Sequence, residues 1–238
     1  MKKLALLACL TVTTLGVSAA AQAAPAKKAT AAPAAAHDWS RTVIKTAEGG
    51  FQIGNPAAKV KLVEYGSMTC SHCAHFDETG YKPLIANYVR TGKVAFEFRN
   101  YVRDPYDLAA ALTARCGGTT RFFALTNGLF ATRETWIGKI QAGQEKLKAY
   151  EGKQPVEFLP AVGSLAGFDA FAAARGVPVA KVKACLANKA EIDRLIAMHN
   201  KASFVEGTPT FLLNGKPLTI TVDRESWDQV EDALKAAL

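Results

Sequence analysis

Residues 59–76 read Lys59-Val60-Lys61-Leu62-Val63-Glu64-Tyr65-Gly66-Ser67-Met68-Thr69-Cys70-Ser71-His72-Cys73-Ala74-His75-Phe76. The first seven are largely apolar with β-branched valines, the composition of a strand. A helix is expected next, from Cys70 to about Glu78. Gly80 weakens it, and Pro83 can occupy the first turn of a continuing segment that stops near Gly92. A strand that delivers Cys-x-x-Cys to the start of a helix is the context that separates a redox pair from coincidence.

At a helix N-terminus the free N–H groups and the macrodipole favour negative charge, so the Cys70 thiol is expected to ionise readily. Cys73 lies one turn further in and is less accessible. The expected roles are therefore Cys70 as attacking nucleophile and Cys73 as resolving thiol. His72 between them can give the thiolate a hydrogen bond, or a positive charge when protonated. Stabilising the reduced form makes the disulfide more oxidising, by about 30 mV per 1.4 kcal/mol for this two-electron couple. Two rival readings stand beside this one. A structural disulfide closing so short a loop would constrain the unfolded chain little. Zinc could use His72 and His75 with the cysteines, but the sequence offers no second Cys-x-x-Cys or His-x-x-x-His to complete four ligands.

Outward from this segment, residues 49–56 suggest a short edge strand ended by a turn. In Val94 to Val102, Val94, Phe96 and Phe98 alternate with Ala95, Glu97 and Arg99, a second strand. From about Asp104 to Lys201 the chain is helical in character, punctuated at Gly117-Gly118, Pro155, Pro160 and Gly176 to Pro178, with helix starts at Asp169 and Pro178. Thr210 to Leu213 is a third strand, Asn214-Gly215 a turn, and Pro217 to Val222 a fourth strand. A last helix spans about Arg224 to Leu238, with Asp223 as its N-cap. The fold class is α/β, with a helical insertion between the two halves of a sheet.

The chain has 238 residues, 49% apolar and 21% charged, enough for one sizeable core. Met1-Lys2-Lys3, an apolar run from Leu4 to about Val17 and Ala21-Gln22-Ala23 have the pattern of a secretory signal peptide at residues 1–23. The apolar run is shorter than the roughly 20 residues of a membrane span. Leu6-Leu7-Ala8-Cys9 resembles a lipoprotein box, but too few residues precede Cys9. The Ala/Pro/Lys/Thr stretch from Ala24 to about Ala36 cannot bury enough surface to order itself. The expected organisation is a flexible leader over 24–48 and one domain over 49–238, its insertion at about 104–203. The net charge of +8 is spread along the chain without a dense basic run, so nucleic acid is not an expected partner. Export to an oxidising compartment, here the periplasm, would permit disulfides.

The stretch Glu64 to Phe76 resembles the active-site segment of the DsbA-like thiol-disulfide oxidoreductases. Gly207-Thr208-Pro209-Thr210-Phe211 is similar to their second signature, and Tyr88 to Phe98 and Leu112 to Cys116 look like the DSBA-like thioredoxin branch. The resemblance runs from about Phe51 to Leu238. It implies a thioredoxin-like fold with a helical insertion and disulfide introduction into reduced secreted proteins. It also implies re-oxidation by a DsbB-like membrane partner. Ser71 stands where the best-known oxidases carry proline, which bears on the strength of oxidation and not on exchange itself.

Taken alone, Thr208-Pro209 would be an ordinary trans turn. The resemblance implies a cis bond that sets the Thr208 backbone beside the cysteines, where it could pair with an extended substrate segment. Glu64 has two readings, a solvated outward side chain or a buried carboxylate of raised pKa that takes the proton from Cys73; the family pattern favours the second. Cys116 and Cys185 could be buried free thiols, but in an oxidising compartment a second, structural disulfide is the expectation. His37 and His199 are expected to be surface or capped, and Phe122, Phe123, Phe130 and Trp136 to belong to the core. The residues call for no metal, nucleotide or flavin, and the short leader suggests a monomer. The alternatives are a reductase or isomerase using the same pair, or a non-catalytic peptide-binding, chaperone-like module.

Overall fold

The computed structural model describes residues 37–238; the expected signal peptide and the Ala-rich leader up to residue 36 lie outside the described residues. The six strands are β1 (Val43–Lys45), β2 (Phe51–Gly54), β3 (Val60–Gly66), β4 (Val94–Asn100), β5 (Thr210–Leu213) and β6 (Lys216–Pro217), in the order β1-β2-β4-β3-β5-β6. β3 and β4 are parallel and every other pairing is antiparallel. This mixed sheet with flanking helices is the expected α/β fold. β3 sits inside it, pairing Val60 to Gly66 with Val94 to Asn100 on one side and Leu62 to Tyr65 with Thr210 to Leu213 on the other. Every residue of β3 except Lys61 is buried. A strand covered on both faces reads as a continuous apolar run.

Between β3 and β4 the chain is helical from residue 71 to 89. α1 (Ser71–Phe76) passes into a widened turn at Asp77–Tyr81, then α2 (Lys82–Leu84) and a second wide turn at Ile85–Val89. Pro83 has no N–H to give to the preceding turn, and the hydrogen-bond ladder widens just before it. Gly80 is glycine because the rings of Phe76 and Trp227 would lie 2.9 and 3.0 Å from a Cβ there.

The helical block holds α3 (Pro105–Arg115), α4 (Gly118–Ala131), α5 (Arg133–Ala142), α6 (Gln144–Leu147), α7 (Pro155–Ala166), α8 (Phe168–Ala173), α9 (Val179–Leu186) and α10 (Lys189–Lys201). α3 is its axis, buried from Asp107 to Arg115. Phe122, Phe123, Phe130 and Trp136 lie in the core. Pro160, expected to interrupt the block, sits inside α7, which continues through it. α11 (Ser226–Ala237) closes the chain against the active-site helix through Trp227 and Phe76.

Four sequence expectations need correction. The leader does not extend to residue 48: Asp38 caps the turn Trp39–Arg41, and β1 adds to the sheet through Val43 and Ile44. β2 is therefore not an edge but lies between β1 and β4. The fourth strand stops at Pro217, because the Thr221 backbone is taken by Gln229 of α11, N–H to Oε1 and O to Nε2, both at 2.9 Å. Asp223 does not cap the last helix, whose N-cap is Glu225.

Candidate active site

β3 ends at Gly66, and residues 67–70 carry the chain from the sheet to the start of α1. Cys70 is the N-cap residue of that helix, with extended backbone (φ −80°, ψ 124°), and its Sγ accepts the Cys73 N–H at 3.5 Å. This is the geometry in which a helix start favours a negative sulfur. Both cysteines are unbonded and buried. The Cys70 thiol is pulled down to about 4. A hydrogen bond from the Cys73 thiol is the largest cause; the Cys73 N–H and the charge of Arg103 add to it, while burial opposes. Cys73 goes the other way. Burial pushes its thiol well up, and its bond to Cys70 and the charge of Glu64 push in the same direction.

The Thr208–Pro209 peptide is cis, and the Thr208 carbonyl accepts the Cys70 S–H at 3.1 Å. β5 begins at the next residue, so the antiparallel pairing of β5 with β3 sets Thr208 opposite the cysteine helix. Thr208 Oγ1 is buried without a protein partner.

Glu64 lies on β3 with 3% of its surface exposed, in register with Phe98 on one side and Phe211 on the other. Burial is the main reason its carboxyl is held well above the ordinary range, with the charges of Asp77 and Cys70 adding. Its Oε1 has no protein partner. Asp77 also lines the small, largely aromatic cavity beside Glu64 and is pushed up to about 7 by burial.

The structure thus brings together Cys70, Cys73, Glu64 and Thr208. His72 is exposed in the first turn of α1, while His75 Nε2 bonds Glu225 Oε2 at 2.7 Å. His199 stacks on Tyr101. Cys116 and Cys185 are joined by a disulfide between the C-cap of α3 and α9, remote from the thiol pair in sequence and in element.

Sequence reasoning missed the supports of residues 67–69. Asp107, 1% exposed, accepts Ser67 Oγ at 2.6 Å, the Met68 N–H at 2.8 Å and the Arg103 N–H at 3.0 Å. Burial holds its carboxyl up to about 7 against the downward pull of those bonds. Arg103 donates to Ser67 Oγ and Thr69 Oγ1, and Arg133 donates two bonds to the Thr69 carbonyl. The start of α3 was legible, since Asp104-Pro105 is a cap followed by a first-turn proline. Nothing in the spacing says that the starts of two helices, 35 and 64 residues downstream, turn back onto the cysteine loop.

A thioredoxin-type sheet that places a Cys-x-x-Cys helix start opposite a cis-proline defines a protein of the thioredoxin fold. The family model for thioredoxin matches residues 46–236, and the chain belongs to that family. A Rickettsia prowazekii protein provisionally named a protein-disulfide oxidoreductase is 30% identical over 203 residues, 84% of this chain and 65% of that protein. The chain thus spans just under two thirds of that relative's length. A solved protein-disulfide isomerase from Novosphingobium aromaticivorans is 34% identical, with a TM-score of 0.70 over 78% of this chain and 95% of the other. Wolbachia pipientis alpha-DsbA1 shares the fold at 19% identity, with a TM-score of 0.60 over 78% of this chain and 89% of that one. The helical block from α3 to α10, set between β4 and β5, gives this chain the DsbA-like form of the fold.

Proposed function

We propose that the chain is an extracytoplasmic thiol-disulfide oxidoreductase that introduces disulfides into reduced secreted proteins through Cys70 and Cys73. The observation that carries this is the opposite displacement of two neighbouring thiols, Cys70 down to about 4 and Cys73 well up. One sulfur is thereby a good leaving group and the other a guarded thiol. In the oxidised enzyme a substrate thiolate attacks Cys70 Sγ, the Cys70–Cys73 bond breaks, and its electron pair leaves on Cys73 as a thiolate that takes a proton. Glu64, whose buried carboxyl holds its proton well above the ordinary carboxylate range, supplies that proton and takes it back when Cys73 later attacks a mixed disulfide. The second substrate thiolate then attacks the substrate sulfur of the mixed disulfide, and Cys70 leaves as its stable thiolate. The substrate is oxidised by two electrons and the enzyme reduced by two. A DsbB-like membrane protein re-oxidises the pair, the periplasm is the compartment, and the working unit is a monomer. The Thr208 backbone offers substrate an edge for extended pairing beside Cys70, which makes recognition broad.

Cys73→Ser is expected to accumulate mixed disulfides through Cys70 with secreted proteins, seen as thiol-sensitive bands on non-reducing gels, while Cys70→Ser forms none. Failure of Cys73→Ser to trap any exported protein would overturn these roles. An isomerase is the second reading, favoured by the likeness to the Novosphingobium protein-disulfide isomerase. Efficient unscrambling of a wrongly bonded substrate, with poor oxidation of a reduced one, would establish it.

A further inference from the structure

Residues 67–70 are gripped from two sides by the helical insertion. On one side stand Asp107 and Arg103, bonded to the side chains and N–H groups of Ser67, Met68 and Thr69. On the other, Arg133, the first residue of α5, reaches 64 residues back in sequence: Nε and Nη2 donate to the Thr69 carbonyl at 2.9 and 2.7 Å. Its side chain is mostly buried, and its remaining arm pairs with Glu134. The Thr69 carbonyl belongs to the peptide that ends at Cys70 N. Its direction sets the dihedrals around Cys70 and hence where Sγ lies relative to the helix start.

We propose, on the basis of the exchange reaction assigned above, that Arg133 is a positioning residue for the reactive sulfur. Its planar fork holds the Thr69–Cys70 peptide so that Cys70 keeps its extended cap conformation. The reason for a guanidinium is geometric. Two parallel N–H donors fix both the place and the direction of one carbonyl, whereas an ammonium fixes only distance. Sensitivity follows from the contact being protected. The Cys73 N–H reaches Sγ at 3.5 Å, an ordinary length for a sulfur acceptor, and that alignment is set by the Thr69–Cys70 peptide, whose rotation swings Sγ away from the N–H. Arg103 acts differently, since its charge bears on Cys70 directly. The inserted helices thus set the reactivity of a sulfur carried by the thioredoxin part.

The test titrates the Cys70 thiolate by its ultraviolet absorbance in the reduced full chain, the Arg133→Gln variant and the Arg133→Lys variant. Arg133→Gln should raise the midpoint by about one pH unit, a tenfold loss of preference for the thiolate. Arg133→Lys, which keeps charge but not the fork, should raise it by about half as much. The oxidised form, which has no thiolate, should lose less melting temperature than the reduced form at pH 7 in both variants. If both variants titrate with the parent, or if the oxidised melts fall while the titration stays in place, the residue is only structural and the proposal is wrong. If Arg133→Gln does not fold, Arg133→Lys decides. Failure of the parent itself to exchange with glutathione would instead overturn the enzymatic reading, whatever the variants do.

Discussion

Glu64 shows how far a single side chain can be understood from its surroundings. A carboxylate 3% exposed, with one oxygen lacking a protein partner, costs the fold stability that a strand residue of ordinary composition would not. Its pKa is raised in the folded state, so its contribution to stability is fully present below the unfolded value of about 4.3 and is lost as pH rises toward the folded value. Glu64→Gln should therefore leave the melting temperature near pH 4 unchanged and raise it at pH 8, by ~1–2 kcal/mol of stability. The same change removes the group that protonates the Cys73 thiolate as it leaves. Single-turnover formation of the mixed disulfide from the oxidised enzyme should then slow at least tenfold, toward the ~10²-fold of a lost acid–base group. A variant that gains stability and keeps its rate would show that the carboxylate takes no part in proton transfer. The carboxylate itself was visible in the sequence, but its burial was not, because Lys61 on the same strand points out and only pairing on both sides of β3 decides which face Glu64 takes.

At the scale of elements, legibility follows how local the cause is. β3, the helix start at Cys70 and the turn at Asn214-Gly215 (φ 50° and 81°) rest on neighbours in sequence, and all stand where the chain announces them. The inner place of β2 depends on a distant partner, β4, whereas β1 pairs with the neighbouring β2 and the early end of β6 follows from Gln229, eight residues past Thr221; these two are local, but the contacts that set them leave no mark in composition or alternation. In β4 the alternation suggested one wet face. Glu97 is nevertheless buried, because Arg99 and Thr46 satisfy it. The Cys116–Cys185 bond ties the end of α3 to α9 across a separation of 69 residues. In the chain-entropy account, closing a loop of that length stabilises the fold by about 4 kcal/mol. Replacing both cysteines by alanine should lower the urea midpoint by a corresponding amount. The exchange rate at Cys70 should not change, since the bond lies outside the thiol pair's surroundings. A rate that fell in proportion to stability would mean the two are coupled.

The whole molecule can be treated as two folded proteins, one with the Cys70–Cys73 bond and one without it, linked by a thermodynamic cycle. A folded thiol at about 4, against an unfolded one near 8.5, contributes stability that is complete above the unfolded value and disappears as pH falls through 4. Only the reduced protein has this thiolate. Its stability relative to the oxidised protein must therefore climb between pH 4 and about 8.5, then level off as the unfolded chain ionises too. Because the cycle closes, whatever favours the reduced fold also draws electrons onto the pair. The couple should lie well above the roughly −270 mV of thioredoxin, on the oxidising side of a glutathione buffer. Both measurements are accessible with one preparation: thermal melts of the reduced and oxidised forms across pH 4 to 9, and equilibration of the pair with glutathione. The expected result is a reduced form that melts higher at pH 7, with the advantage shrinking as pH approaches 4. A potential as low as that of thioredoxin, together with an oxidised form that melts higher at neutral pH, would place the chain among reductants and remove the basis for disulfide introduction.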